Sequence, residues 1–299
     1  MRYPRPTLLA AASIAAFLGA AVVLAQPAAA ADPLPAASGR ALAMSRPQWR
    51  LWVPADYQPR PDGAVDLLVH LHGDPQTVWN NAAAARLNAV VVTANYNGLS
   101  RAYAAPFADP RLFQTLLDDA LARLKTDPRF GDAAHWDHVV VASFSAGYGA
   151  VREILKQPHY RDAIAGLLAV DSLYASTAAG GAPEPAQMAD YLTYAKRAVA
   201  GEKTFIFTHT EVPTPTYEST RDTGEALLRG LGLEAHATNQ PGLGPLVFVR
   251  RAGEGGFAFW GSPGDTGEDH MNHLRYMAEW LDDLPLDRHA QRRSGAAPN

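Results

Sequence analysis

Residues 139–155, VVVASFSAGYGAVREIL, limit the folds open to this chain more than any other stretch. A β-branched apolar run at 139–142 stops at a serine framed by small residues, Ser143-Phe144-Ser145-Ala146-Gly147. Directly afterwards Ala150, Val151, Ile154 and Leu155 recur at helical spacing. A strand that turns this abruptly into a helix brings the two elements close together. Small residues two places either side of Ser145 are therefore a steric requirement. The central residue of such a turn is held in strained backbone geometry, and its side chain is lifted clear of the sheet.

The rest of the chain supplies a sheet for that unit to join. Apolar runs at 65–71, 89–94, 164–170 and 203–208 have the continuous hydrophobicity of strands buried on both faces. Residues 48–53 alternate like an edge strand, and 246–250 with 257–260 flank a Gly253-Glu254-Gly255-Gly256 turn that reads as a hairpin. Between the runs lie helical stripes. Leu112, Phe113, Leu116, Leu117, Ala120 and Leu124 follow an Asp109-Pro110 start signal, and Met188, Leu192, Ala195 and Val199 form a second stripe. Residues 226–228 lie in a further helix, and Leu274, Met277, Ala278 and Leu281 mark the last one. Strands alternating with helices predict an α/β fold, a mostly parallel central sheet with helices on both faces. No internal repeat suggests a solenoid or propeller.

Composition narrows the chemistry. The 299 residues are 47% hydrophobic, enough for a sizeable core. A formal net charge of −4 gives no reason to expect a nucleic-acid partner. There is no cysteine, which excludes disulfides, thiolate nucleophiles and Cys-based zinc sites. Neither a P-loop nor a dinucleotide glycine fingerprint occurs, and no cofactor is expected. Arg2 and Arg5, the small apolar run at 8–24 and several A-x-A options before Asp32 form a secretory signal pattern. The expected organisation is a signal peptide at 1–30, a linker at 31–46, the α/β domain at 47–286 and a flexible tail at 287–299. The mature protein is then expected to be periplasmic or secreted, with no membrane span left after cleavage.

A serine is a weak nucleophile at neutral pH and needs a base, which in turn needs an orienting acid. The 143–147 segment resembles the nucleophile elbow of the α/β-hydrolases, here S-x-S-x-G with Ser143 in the place of the commoner glycine. That family keeps its triad in the chain order serine, acid, histidine, each after a strand. The resemblance implies Ser145 as nucleophile and His270, at a loop-to-helix junction, as base, with His273 one turn later as the alternative. Asp171 directly ends the 164–170 run, where an aspartate is costly unless paired, and is the preferred acid. Glu211, after the next strand, is the alternative. The backbone amides of Ala146 and of Gly73 or Asp74 are the expected oxyanion donors. The activity implied is that of a carboxylic ester hydrolase working through an acyl-enzyme on a small-molecule or polymer ester. Peptidases and thioesterases share this machinery.

Two other readings have support in the sequence. His70-Leu71-His72-Gly73-Asp74 spells H-x-H-x-D, the zinc-binding start of metal-dependent hydrolases, although Pro75 stands where that family continues with histidine. Metal is not expected on this ground, and His70 reads as a core histidine. A hydrolase-fold protein that only binds its ligand is the second alternative. Tyr96-Asn97-Gly98 and Trp79-Asn80 are placed to line a cleft.

Overall fold

The apolar runs form the centre of a ten-stranded sheet in the structure, a computed structural model that describes residues 33–289. In chain order the strands are β1 (Gly39–Ala43), β2 (Trp49–Pro54), β3 (Ala64–Leu71), β4 (Val90–Ala94), β5 (His135–Phe144), β6 (Ile164–Val170), β7 (Thr204–His209), β8 (His236–Pro241), β9 (Val247–Glu254) and β10 (Phe257–Gly261). Their order across the sheet is β1-β2-β4-β3-β5-β6-β7-β10-β9-β8. The six strands from β4 to β10 are parallel, and antiparallel pairs lie at both margins. Every residue of β3 and β4 is buried, as strands covered on both faces require.

Helices cover the two faces unequally. α2 (Ser100–Phe107), α3 (Leu112–Leu124), α4 (Tyr148–Leu155), α6 (Pro185–Val199) and α7 (Thr220–Leu231) pack on one face, with the short α5 (Pro158–Ala163) beside them. α1 (Pro75–Ala84), α8 (Gly267–Arg275) and α9 (Ala278–Leu281) close the other, over Leu68, Val140, Leu168 and Ile206. No helix among the described residues is long and apolar enough to cross a membrane.

The parallel strands point their carboxyl ends to one edge. β5 ends at Phe144 and passes through a single 3₁₀ turn, Ser145–Gly147, into α4. β6 delivers Asp171 to the same edge, and β10 leads through a short loop into α8, which carries His270. The result is an α/β fold with a mostly parallel sheet and helices on both faces, as the alternating pattern predicts.

Four expectations need correction, the first being the start of the expected tail, where Arg288 forms a β-bridge with Leu87 and the His289 amide donates to the Arg86 carbonyl. Part of the expected linker is structured: Gly39–Ala43 pairs along its length with β2 as the outermost strand. α3 begins at Leu112 rather than at Asp109-Pro110, because Asp109 accepts from the Arg111 amide in a turn that precedes the helix. β9 continues through Gly253 and Glu254, so the hairpin turn is confined to Gly255 and Gly256. The signal-peptide segment and all of the expected tail beyond residue 289 lie outside the described residues.

Candidate active site

Ser145 has φ +45°, a left-handed conformation that a non-glycine residue adopts only when its surroundings impose it. Here they do. A Cβ on Gly147 would lie 2.1 Å from the Leu71 carbonyl oxygen, so only glycine lets the turn pass β3. The Ser172 hydroxyl donates to the Ser145 carbonyl at 2.9 Å, and its oxygen is also 2.9 Å from Ser143 Oγ. Ser143 is thus a buried member of the network that holds the turn.

Asp171 is fully buried at the end of β6, also with a left-handed backbone, φ +40°. Its carboxylate accepts from His270 Nδ1 at 2.5 Å, from the Thr210 amide at 3.0 Å and hydroxyl at 2.7 Å, and from the Thr220 hydroxyl at 2.5 Å. Its own amide donates to Thr208 Oγ1 at 2.9 Å. Burial alone would push the carboxyl up. The His270 hydrogen bond, the fields of His273 and His270 and the Thr220 hydroxyl outweigh it and hold the group well below the usual carboxylate range. Asp171 is therefore a charged, buried acceptor that faces His270 Nδ1.

His270 sits in the first turn of α8, where Thr266 and Asp269 form a reciprocal capping box. Its ring stacks on Phe144 with centroids 4.4 Å apart and planes 26° from parallel. Phe144 stacks in turn on His72, 6.0 Å away. The residue just before the elbow serine is thus the platform for the imidazole. Ser145, Ala146 and His270 line one cavity of about 530 Å³, together with Tyr148, Tyr174 and Tyr217. A hydroxyl on a strained turn, an imidazole backed by a buried carboxylate and turn amides in one cavity can move a proton off the hydroxyl while that oxygen attacks an electrophile.

The other expected residues have different surroundings. Glu211 pairs with Arg221 at 2.5 Å, and no histidine touches its carboxylate. His273 is fully buried, its Nδ1 2.9 Å from Thr208 Oγ1 and its Nε2 2.9 Å from Ser262 Oγ. It faces the interior against Trp280 and does not line the cavity. The Gly73 amide donates to Asn95 Oδ1 at 2.9 Å, which leaves Asp74 as the remaining amide of that pair. The Asp74 side chain caps α1 by accepting from the Thr77 amide.

The H-x-H-x-D residues do not converge. His70 is buried with neither ring nitrogen bonded, whereas His72 turns away at φ +69° and its Nδ1 meets the Tyr103 hydroxyl at 2.7 Å. Among the described residues one three-member group has ligand atoms close together, Asp66, Asp137 and His138, and Arg60 already pairs with both of its carboxylates. Trp79 stacks on Trp52 on the α1 face, and Tyr96 accepts from Trp49 Nε1 beside a separate cleft. Neither Trp79 nor Tyr96 lines the elbow cavity.

Sequence reasoning missed Thr210, Thr220, Ser172 and Phe144. Each follows or ends a strand or opens a helix, but no spacing rule ties a threonine at 210 or 220 to an aspartate at 171.

No protein-family profile and no curated protein matches the chain. Solved structures do. It is similar to the feruloyl esterase module from Clostridium thermocellum, at 12% identity over 86% of this chain and 92% of that one, with a TM-score of 0.46. It is similar to a poly(3-hydroxybutyrate) depolymerase from Bordetella parapertussis, at 16% identity over 84% and 92% of the two chains, TM-score 0.46. The enterobactin esterase from Shigella flexneri aligns at 17% identity over 82% of this chain and 59% of that one, TM-score 0.46. At these identities none of their activities or residue roles transfers to this chain.

Proposed function

We propose that this chain is a serine hydrolase acting on carboxylic esters through an acyl-enzyme, with Ser145, His270 and Asp171 as its triad. The observation that carries the reading is the 2.5 Å contact between Asp171 and His270 Nδ1, made beside a serine whose backbone is forced to φ +45°. With Nδ1 committed to Asp171, the free Nε2 is the atom available to Ser145 Oγ. As Oγ forms its bond to the ester carbon, its proton passes to Nε2, and the carbonyl oxygen becomes an oxyanion held by the amides of Ala146 and Asp74. Collapse breaks the bond to the alcohol, which leaves with the proton from His270. Water then repeats the sequence on the acyl-enzyme, and the acid is released.

The carboxylate's part is to fix the imidazole tautomer and stabilise the imidazolium, and three hydrogen bonds from Thr210 and Thr220 keep it in place. The signal pattern at 1–30 makes this an exported enzyme. The test is Ser145→Ala, expected to lower hydrolysis of 4-nitrophenyl butyrate by at least ~10³-fold with unchanged circular dichroism. Wild-type protein should also be labelled by a fluorophosphonate that leaves the variant unlabelled. A folded Ser145→Ala protein with full activity refutes the mechanism. Failure of wild-type protein to react with either reagent favours a ligand-binding protein on the same fold.

A further inference from the structure

The elbow cavity holds one charged side chain that ester hydrolysis does not use. Arg152, on α4, lines it with Ser145 and His270. Its Nη2 donates to the Tyr174 carbonyl at 2.5 Å, and its guanidinium lies over the Tyr148 ring, 4.9 Å from the centroid. Its Nε is buried without a hydrogen-bond partner. Several other arginines of this half of the molecule pair with a carboxylate, Arg161 with Asp190, Arg197 with Asp162 and Glu202, Arg221 with Glu211 and Arg250 with Glu225, whereas Arg229 and Arg251, which form no ion pair among the described residues, are exposed to solvent. Arg152 has no such partner among the described residues, and no aspartate or glutamate lines the cavity.

A guanidinium stays charged at every working pH, and its planar fork matches a carboxylate. Partial burial without a counter-ion is unfavourable, and a bound anion offsets that penalty. The walls beside it are aromatic. Tyr148 and Tyr174 have ring centroids 5.5 Å apart, and Tyr217 meets Tyr174 edge-on at 5.6 Å. Asp171 lies fully buried, bonded to His270, and does not line the cavity.

We propose that the cavity selects esters carrying a carboxylate, which Arg152 receives while the three tyrosines pack against the apolar segment joining it to the ester. The turnover part of this inference rests on the serine-hydrolase reading, and the binding part stands without it.

Two measurements separate the two. In the first, kcat/KM is compared for 4-nitrophenyl hydrogen glutarate against 4-nitrophenyl pentanoate, and for 3-carboxy-4-nitrophenyl acetate against 4-nitrophenyl acetate. The first pair places the charge on the acyl side and the second on the leaving side. In one pair, Arg152→Gln is expected to lower the charged-to-neutral ratio at least ~10-fold, chiefly through KM, and Arg152→Lys to restore part of it. In the second, calorimetry compares 5-phenylpentanoate with 5-phenylpentanamide. Wild-type protein should bind the carboxylate at least ~10-fold tighter than the amide, and Arg152→Gln should remove that preference. The wild-type preference needs no variant, so a poorly folding Arg152→Gln protein does not shield the inference. Charge-selective binding without hydrolysis of any ester overturns the hydrolase reading and keeps this one. Hydrolysis with unchanged ratios, or wild-type binding indifferent to charge, overturns this one.

Discussion

His70 offers a perturbation whose size follows from the structure. It is fully buried on β3 with neither ring nitrogen bonded, and burial, with the charge of His72 adding to it, pushes its pKa down to about 3. Burial likewise pushes His273 down to about 4, against the pull of Asp171. Both are bases with depressed values. From the unfolded value near ~6.5 down to the folded value, the unfolded chain binds a proton that the folded one does not. Their stabilisation is complete above that unfolded value and is lost as the pH falls toward the folded one. Between pH ~6.5 and ~4.5 each costs about 2 kcal/mol, so the pair removes about 4 kcal/mol, a large share of a typical 5–15 kcal/mol. His209 and His72 are depressed by burial too and act in the same sense. Asp171 is depressed as an acid, so its contribution is present above the unfolded carboxyl value and stays out of this window. His70→Leu removes a titrating ring that gave up no hydrogen bond. Its stability at pH ~7.5 should lie within about 1.5 kcal/mol of wild type. Urea titrations followed by tryptophan fluorescence from pH ~4.5 to ~7.5 give the slopes. The variant should lose about 2 kcal/mol less than wild type over the acid half. A His70→Leu protein that loses stability as steeply as wild type refutes the assignment.

Three further outcomes are expected. Asp171→Asn should lower kcat on an activated ester by ~10⁴-fold, whereas Glu211→Gln, which only frees Arg221, should stay within about threefold of wild type; a severe loss confined to Glu211→Gln would place the acid after β7. Gly147→Ala should destabilise by about 3 kcal/mol or more, because its methyl meets the Leu71 carbonyl rather than a side chain that could yield, and an unchanged urea midpoint would contradict that steric account. N-terminal sequencing of exported protein should begin at Ala31 or Asp32, and recovery of Met1 would favour an uncleaved anchor.

The parts legible in sequence are those whose signals are local. β3, β6 and the β5–α4 turn stand out because buried parallel strands are continuous apolar runs and because the elbow needs small residues at fixed offsets. β1 did not, since its one sequence neighbour in the sheet is β2 and its residues are mostly exposed. β8, HATNQP, is polar for the same edge-strand reason. α1 buries Asn80 and Asn81 where an apolar stripe would be, and α2 begins without a side-chain cap and contains Pro106. At the site, choosing between His270 and His273 depended on where α8 starts. Beginning at Gly267, it puts His270 in the first turn beside Asp171 and sends His273 inward. The threonines around Asp171 were beyond reach, because their role depends on hydroxyl directions set by three different elements.

The buried bonds around His273 also have a direction. The Asp171 amide donates to Thr208 Oγ1, so the arrangement that uses every proton continues from the Thr208 hydroxyl to His273 Nδ1 and from Nε2–H to Ser262 Oγ. A proton added to Nδ1 requires the Thr208 hydroxyl to turn its own hydrogen away and accept a second bond beside that of the Asp171 amide. The chain begins on the main chain of the residue that orients His270 and ends at Ser262 Oγ. Acid therefore acts on the anchoring of Asp171 from behind, through the protein interior, at a point no substrate or inhibitor in the cavity can shield.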